Sequence, residues 1–284
     1  MMPINWFIFK VNHHCQNFRV GDWRAYFGIG ILGFVLGLGT SSQFDYRIFL
    51  TFVMTSSLYL AFSFSINNCF DAENDKNKMN KNPVASGLIG FKEGVFVSVL
   101  IAAIGLLIAC LRLNPLSSCI YVILLLLSLG YSAPPLRLKG VAVADLTSHG
   151  LFFGSLLFLY GASVVGNLNH FVIAIALSLF IQSAALDLRN HLDDFDEDVL
   201  SRTKTTVCWL GKPRAVKMLN RLLVVHWVML GTITICVDPL YGILINGVAS
   251  FIFLVLKRYV SSVRATDVCF SLVYVSTVAY LVIM

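Results

Sequence analysis

The sequence predicts an all-α, polytopic membrane protein with nine transmembrane helices. Of its 284 residues 57% are hydrophobic and only 13% charged, about half the charged share of a soluble domain. The apolar residues fall in long runs, and a bilayer crossing needs about 20 of them. Nineteen of the 21 lysines and arginines fall at the N-terminus or in alternate connections between those runs. Helices are the expected form because lipid offers no water to an open backbone group.

The expected spans are roughly 25–43, 47–68, 93–112, 115–131, 142–163, 168–188, 215–236, 240–256 and 266–284. The polar and aromatic residues before the first span lack the apolar core of a cleaved signal peptide. Span 1 carries Gly28, Gly30, Gly33, Gly37 and Gly39, spacings that helix packing explains without chemistry. Span 2 runs into Asp71, Glu73 and Asp75. Span 4 ends at Tyr131, an interfacial position, ahead of the stiff Pro134-Pro135 turn with Arg137 and Lys139. Span 5 holds His149, read either as a satisfied intramembrane histidine or as a group that takes up a proton. Span 6 runs into LRNHLDDFDED.

Charge orients the chain. The N-terminal segment and the second, fourth, sixth and eighth connections hold the basic residues, and only Arg47 and Arg112 fall opposite. The positive-inside rule places the N-terminus and the even connections in the cytoplasm, with the cell membrane as the expected location. The net charge of +6 therefore speaks of topology and anionic lipid headgroups. Nucleic acid is not an expected partner, since no basic face with stacking aromatics stands clear of the membrane. The seven cysteines lack metal-ligand spacing and read as small buried hydrophobes. No linker divides the chain, so residues 1–284 are expected to form one membrane domain, and no obligatory protein partner is evident.

The acids are uneven. Nine of the 15 lie in two short stretches on the same predicted side. Asn67, Asp71 and Asp75 are spaced by four, and Asn190, Asp194 and Asp198 repeat the spacing. Residues four apart share a helix face, so each stretch offers one amide oxygen and two carboxylates in a row. Oxygen-only donors suit Mg²⁺ or Ca²⁺, and Mg²⁺ is usually held by one or two carboxylates plus substrate phosphates. The six residues are the expected metal ligands, for two Mg²⁺ ions around a diphosphate. Asp193, Asp196 and Glu197 fall off that row, and Asp187 lies one turn before Asn190.

Four passages in order, NNCFDAENDKNKMNKNPVASG, YSAPPLRLKG, LRNHLDDFDED and TKTTVCWLG, resemble the motifs of the UbiA superfamily of intramembrane prenyltransferases. Two departures stand out. The family's first motif often opens Asn-Asp, where this chain has Asn67-Asn68, and often places Arg before the proline, where this chain has Asn82. The resemblance implies nine helices around a central cavity open to lipid. A prenyl diphosphate donor would ionise there with Mg²⁺ assistance, and an electron-rich acceptor, an aromatic quinone precursor or a lipid precursor, would capture the allylic cation. Asp71 and Asp194 are then the expected catalytic acids, and Tyr131 would face the cation. Lys76, Lys81, Arg137, Lys139, Arg189 and Lys204 become candidates for diphosphate binding, although a basic loop residue is by default a topology anchor. A terpene cyclase of the same superfamily needs no acceptor and is the alternative. A transporter is remote, because it would place its ionisable residues at the bilayer midplane rather than at helix ends.

Overall fold

The protein is described by a computed structural model covering residues 4–39, 43–75, 82–166, 168–201 and 203–284. In chain order the helices are α1 (Ile4–Asn17), α2 (Arg24–Leu38), α3 (Tyr46–Asp71), α4 (Phe91–Arg112), α5 (Pro115–Ser132), α6 (Ala144–His149), α7 (Leu156–Val164), α8 (His170–Asp193), α9 (Phe195–Leu200), α10 (Thr206–Leu210), α11 (Lys212–Val237), α12 (Pro239–Leu256) and α13 (Ser262–Ile283). Among the described residues there is no strand, only a parallel bridge between Val141 and Lys204.

Local chemistry sets the helix starts. The Asp45 carboxylate accepts from the Arg47 amide at 2.7 Å, Asn114 from Ser117 at 2.9 Å, Asn169 from Val172 at 3.0 Å and Asp238 from Tyr241 at 2.7 Å. Each side chain satisfies an amide that the first turn leaves without an intrahelical partner.

Among the described residues seven helices are long and apolar enough to cross a bilayer: α3, α4, α5, α8, α11, α12 and α13. The expected count of nine is thus not reproduced by length and apolarity, and the two exceptions have physical causes. Helix α2 has only 15 residues and stops at Gly39, whose φ of 56° leaves the helical region. The fifth expected span is broken into α6, a π-helical turn at Gly150–Ser155, and α7. Side chains at Gly150 and Gly154 would collide with Phe180 and with the Leu179 backbone of α8, so this span bends where two backbones approach closely.

Close approach also explains the span 1 glycines. A Cβ on Gly33 would overlap the Phe158 carbonyl of α7, and one on Gly161 would overlap the Gly30 carbonyl of α2. We expect Gly33→Val to lower the unfolding midpoint in detergent, at a cost of about 1–3 kcal/mol from forced separation of the helices. Gly28→Val is the control, since nothing lies within 4 Å of its Cβ position. Equal midpoints for the two variants would show that the crossing is not tight.

Helix α3 packs between α4 and α5, α12 joins α11 to α13, and α13 packs back on α2. Polar pairs bind helices internally: Thr55 to Tyr160 at 2.6 Å, Ser65 to Ser98 at 2.7 Å and Ser178 to Tyr274 at 2.7 Å. Large apolar side chains such as Phe96, Leu111, Val228, Ile243 and Phe251 are exposed. That is the distribution expected of a surface solvated by lipid tails, with small and hydroxyl residues inside.

Candidate active site

The last turns of α3 carry Asn67 and Asp71 to the end of an apolar helix, and the turn beyond it brings Asp75 to the same place. On the other side, α8 ends at Asp193 and α9 begins at Phe195. The four-residue period nevertheless survives the break. The Asp194 amide donates to the Asn190 carbonyl at 2.9 Å, and the Asp198 amide to the Asp194 carbonyl at 3.0 Å. All six of Asn67, Asp71, Asp75, Asn190, Asp194 and Asp198 line one cavity of about 320 Å³.

Neighbouring groups hold these donors in place. Asn67 Oδ1 accepts from the Ser132 hydroxyl at 3.3 Å. Asp75 Oδ2 accepts from Asn82 Nδ2 at 2.9 Å, and the same amide donates to the Asn68 carbonyl at 2.9 Å. Asn68 Nδ2 in turn donates to the Asn17 carbonyl and side chain, each at 3.1 Å. The two departures from the family's pattern, Asn68 and Asn82, therefore lie in one neutral network behind Asp75. Asp198 accepts from the Thr205 hydroxyl at 3.3 Å. Burial pushes its carboxyl above the ordinary range, with His191, Thr205 and Lys139 opposing and Asp194 adding.

The basic candidates divide. Lys139 lines the cavity and its ammonium contacts Asp71. Burial pushes its amine down to about 8, against the opposing pull of Asp198 and Asp187. Arg137 lies 3.8 Å from Asp71. Arg189 instead turns away, pairs with Asp267 at 2.9 Å and lines a separate groove between α2, α8 and α13. Lys204 lies on another surface beside Trp209 and Cys208. The structure does not bring these two to the acidic cavity: Arg189 is one position before Asn190 and so off its helix face, and Lys204 lies on the other surface although its neighbours Thr203 and Thr205 line the cavity. Lys76 and Lys81 lie outside the described residues.

The acids expected off the row divide as well. Asp193 is exposed and not part of the cavity, and Asp196 pairs with Lys212 at 3.2 Å. Glu197 does line the cavity, because it lies three residues after Asp194 and seven after Asn190, spacings that share a helix face as well as four does.

Below the donors the wall becomes aromatic: Tyr26, Phe64, Tyr131, Phe152 and Phe153, with His149 among them. Tyr26 and Phe153 stack at 4.1 Å between centroids, and Tyr131 meets Phe152 edge-on at 5.1 Å. His149, Phe152 and Phe153 are spaced three and four apart, which puts them on one helix face, and a π-helical turn runs through Gly150–Ser155 beside them, a feature that recurs at functional sites.

Sequence reasoning missed three contributors. Arg19 was read only as a topology charge; it lines the cavity, pairs with Asp22 at 2.7 Å and lies 5.1 Å over the Phe64 ring. Asp145 is fully buried and takes the Thr206 amide at 2.6 Å, the Thr206 hydroxyl at 2.5 Å and the Leu146 amide at 2.8 Å. It staples the segment after the second acidic row to α6. An acid inside an expected span was the available signal. His191, 3.3 Å from Asp145 and 3.8 Å from Asp187, links that staple to the cavity and had no signal in its spacing.

Among the described residues no three His, Cys, Asp or Glu side chains converge as a ready-made metal cage. Six oxygen donors around one cavity fit Mg²⁺, which completes its shell with phosphate and water rather than with protein alone.

Fold and site together define a polytopic helical membrane protein with an oxygen-donor cavity at the polar ends of its helices. The chain belongs to the UbiA prenyltransferase family, whose model matches residues 27–277. It is 25% identical over 189 residues to a digeranylgeranylglyceryl phosphate synthase of Thermococcus gammatolerans, covering 66% of this chain and 65% of that protein. It is 25% identical over 221 residues to a lycopene elongase/hydratase of Halobacterium salinarum, covering 77% and 75%. The fold is like that of a UbiA homolog from Archaeoglobus fulgidus bound to GPP and Mg²⁺, with a TM-score of 0.74, 20% identity and coverage of 94% and 97%. Structures of that homolog with Mg²⁺ and with Cd²⁺ indicate divalent metal use in the family.

Proposed function

We propose that this chain is an intramembrane prenyltransferase, moving a prenyl group from a prenyl diphosphate to a small-molecule acceptor. The observation that carries the reading is the convergence of both acidic rows and Lys139 on one cavity whose remaining wall is aromatic. Asn67, Asp71 and Asp75 would hold one Mg²⁺, and Asn190, Asp194 and Asp198 a second. Bound there, the metal supplies charge neutralisation for the departing diphosphate. Lys139 donates to the phosphate oxygens, with Arg137 at its side. Tyr26, Phe64, Tyr131, Phe152 and Phe153 exclude water and present ring faces to an allylic cation. The new bond forms from the acceptor's electron pair as the carbon–oxygen bond to diphosphate breaks, and the acceptor loses a proton.

The test is purified protein with Mg²⁺ and labelled geranylgeranyl diphosphate, with and without 4-hydroxybenzoate or a prenylglyceryl phosphate lipid. A prenylated product that requires the acceptor supports transfer. A cyclic hydrocarbon formed without any acceptor supports the cyclase instead. Absence of diphosphate release under every condition removes both.

Lys139→Gln is expected to raise the donor KM about 10–100-fold, the loss of a charged hydrogen bond worth ~1.5–3 kcal/mol. An unchanged KM would place the diphosphate elsewhere. For orientation, the basic balance supports cytoplasmic placement of the N-terminus and of both acidic rows, in the cell membrane. Cysteines introduced beside Lys139 and Lys212 should react with impermeant reagents only from the cytoplasmic side, and labelling from outside would reverse the assignment.

A further inference from the structure

We infer that His149 is the base that removes the proton left over when the allylic cation is quenched. This rests on the prenyl-transfer reading and deepens it. The family's acidic rows account for diphosphate departure, but the second half of the reaction needs a proton acceptor inside the aromatic chamber.

The tautomer of His149 is fixed by its surroundings. Nδ1 lies 3.2 Å from the Ser183 carbonyl oxygen and 3.0 Å from Ser183 Oγ. A carbonyl has no proton to give. The Ser183 hydroxyl donates its own proton back to the His149 carbonyl at 3.2 Å. Nδ1 must therefore carry the proton, and Nε2 keeps its lone pair. That nitrogen belongs to a side chain lining the cavity, in a box of Phe153, Phe152, Tyr131 and Tyr26 whose centroids lie 5.2, 5.6, 6.2 and 6.4 Å away.

Asp187 completes the arrangement. Its Oδ1 lies 3.8 Å from His149 Nε2, too far to take up the lone pair by hydrogen bonding and near enough to stabilise an imidazolium. The same oxygen accepts from the Tyr131 hydroxyl at 3.4 Å, which ties the cation-facing tyrosine to the base. Asp187 is a positioning residue here, since it acts through the imidazole. The other ionisable groups around His149 are His191 on α8, Tyr26 on α2 and Asp145 on its own helix.

The step balances. The carbon–oxygen bond of the donor breaks with its electron pair going to diphosphate. The acceptor's pair forms the bond to the allylic carbon, and the acceptor's proton moves to His149 Nε2. With no acceptor present, the cation itself can lose a proton to the same nitrogen, giving a conjugated polyene. The proton passes to water when the product leaves.

The experiment compares wild type, His149→Gln and Asp187→Asn with geranylgeranyl diphosphate and Mg²⁺, with and without the two acceptor probes above. The readout is the ratio of proton-loss products (transfer product or polyene) to prenyl alcohol, the product of capture by water. The ratio should fall roughly 100-fold in His149→Gln, the usual size of a general-base contribution, while diphosphate release persists and shows that the variant is folded. In wild type the ratio should drop as the pH is lowered and the imidazole takes up a proton, and in His149→Gln this dependence should vanish. An unchanged ratio in His149→Gln overturns the assignment, and so does loss in Asp187→Asn alone, which would make the carboxylate the base. Wild type that releases no diphosphate at all overturns the prenyl-transfer reading, and this inference with it.

Discussion

Excess EDTA should stop diphosphate release, and Mg²⁺ should restore it. The cavity wall states the reason in charges. Six carboxylates, those of Asp71, Asp75, Asp187, Asp194, Glu197 and Asp198, line it against two basic side chains, Arg19 and Lys139. A prenyl diphosphate brings further negative charge into this acidic space, and its departure concentrates that charge on the leaving oxygen. Like charges at close range in a partly buried site cost several kcal/mol. Lys139 and Arg19 cannot balance the sum, and part of each is already engaged by Asp71 and Asp22. Divalent ions held by the two rows would reverse the local sign and supply charge for the departing oxygen, which is where a rate gain arises. Each 1.36 kcal/mol is tenfold in rate, so metal removal should cost at least about 10³-fold. The measurement is diphosphate release in single turnover, with chelator and then with graded Mg²⁺. Full turnover in excess EDTA would remove the metal role, whatever else the acids do.

The sequence carried the site further than its surroundings. Spacing by four was enough to align each row of three on its own helix face, because both rows begin on helices and the bonds from Asp194 to Asn190 and from Asp198 to Asp194 keep the period where α8 gives way to α9; that the rows line one cavity is a matter of packing. Glu197 shows the limit of the same rule. It lies three residues after Asp194 and seven after Asn190, spacings that also share a helix face, so a row read in steps of four alone leaves out a residue that joins the wall. Arg189 and Lys204 fail for a different reason. Nearness in sequence to an acidic motif says nothing about which side of the helix or loop a side chain takes, and Asp267, remote in the chain, decides the matter for Arg189. Asp145 could be suspected from its place in an apolar run, but its partner Thr206 lies in another connection. The count of nine spans is not reproduced by length and apolarity where glycines interrupt regular α-helix. Gly39, Gly150 and Gly154 are apolar enough to extend a hydropathy window, yet they shorten or bend the helix.

Asp71→Ala and Asp194→Ala should each reduce kcat by several orders of magnitude, and the double variant should be little worse than either single. Both carboxylates line the same cavity, one on each acidic row. If the rows together hold one metal–diphosphate assembly, losing either side already dismantles it, and groups that act as a unit give strongly non-additive losses. Independent contributions would instead multiply, since effects at uncoupled sites add in free energy. Asp193→Ala is the matched control. It removes the same charge one residue from Asp194, but Asp193 is exposed and does not line the cavity, so most activity should remain. This comparison separates coordination from the general field of the acidic segment, which two adjacent aspartates would contribute about equally. The measurement is kcat for the three singles and the double at matched protein level and saturating Mg²⁺. Equal damage from Asp193→Ala and Asp194→Ala would mean that the segment acts through its overall charge. A double variant as poor as the product of the singles would mean that the two rows serve separate ligands. Near-normal turnover in Asp71→Ala would end the two-row mechanism, because that row's central carboxylate is also the contact point for Lys139.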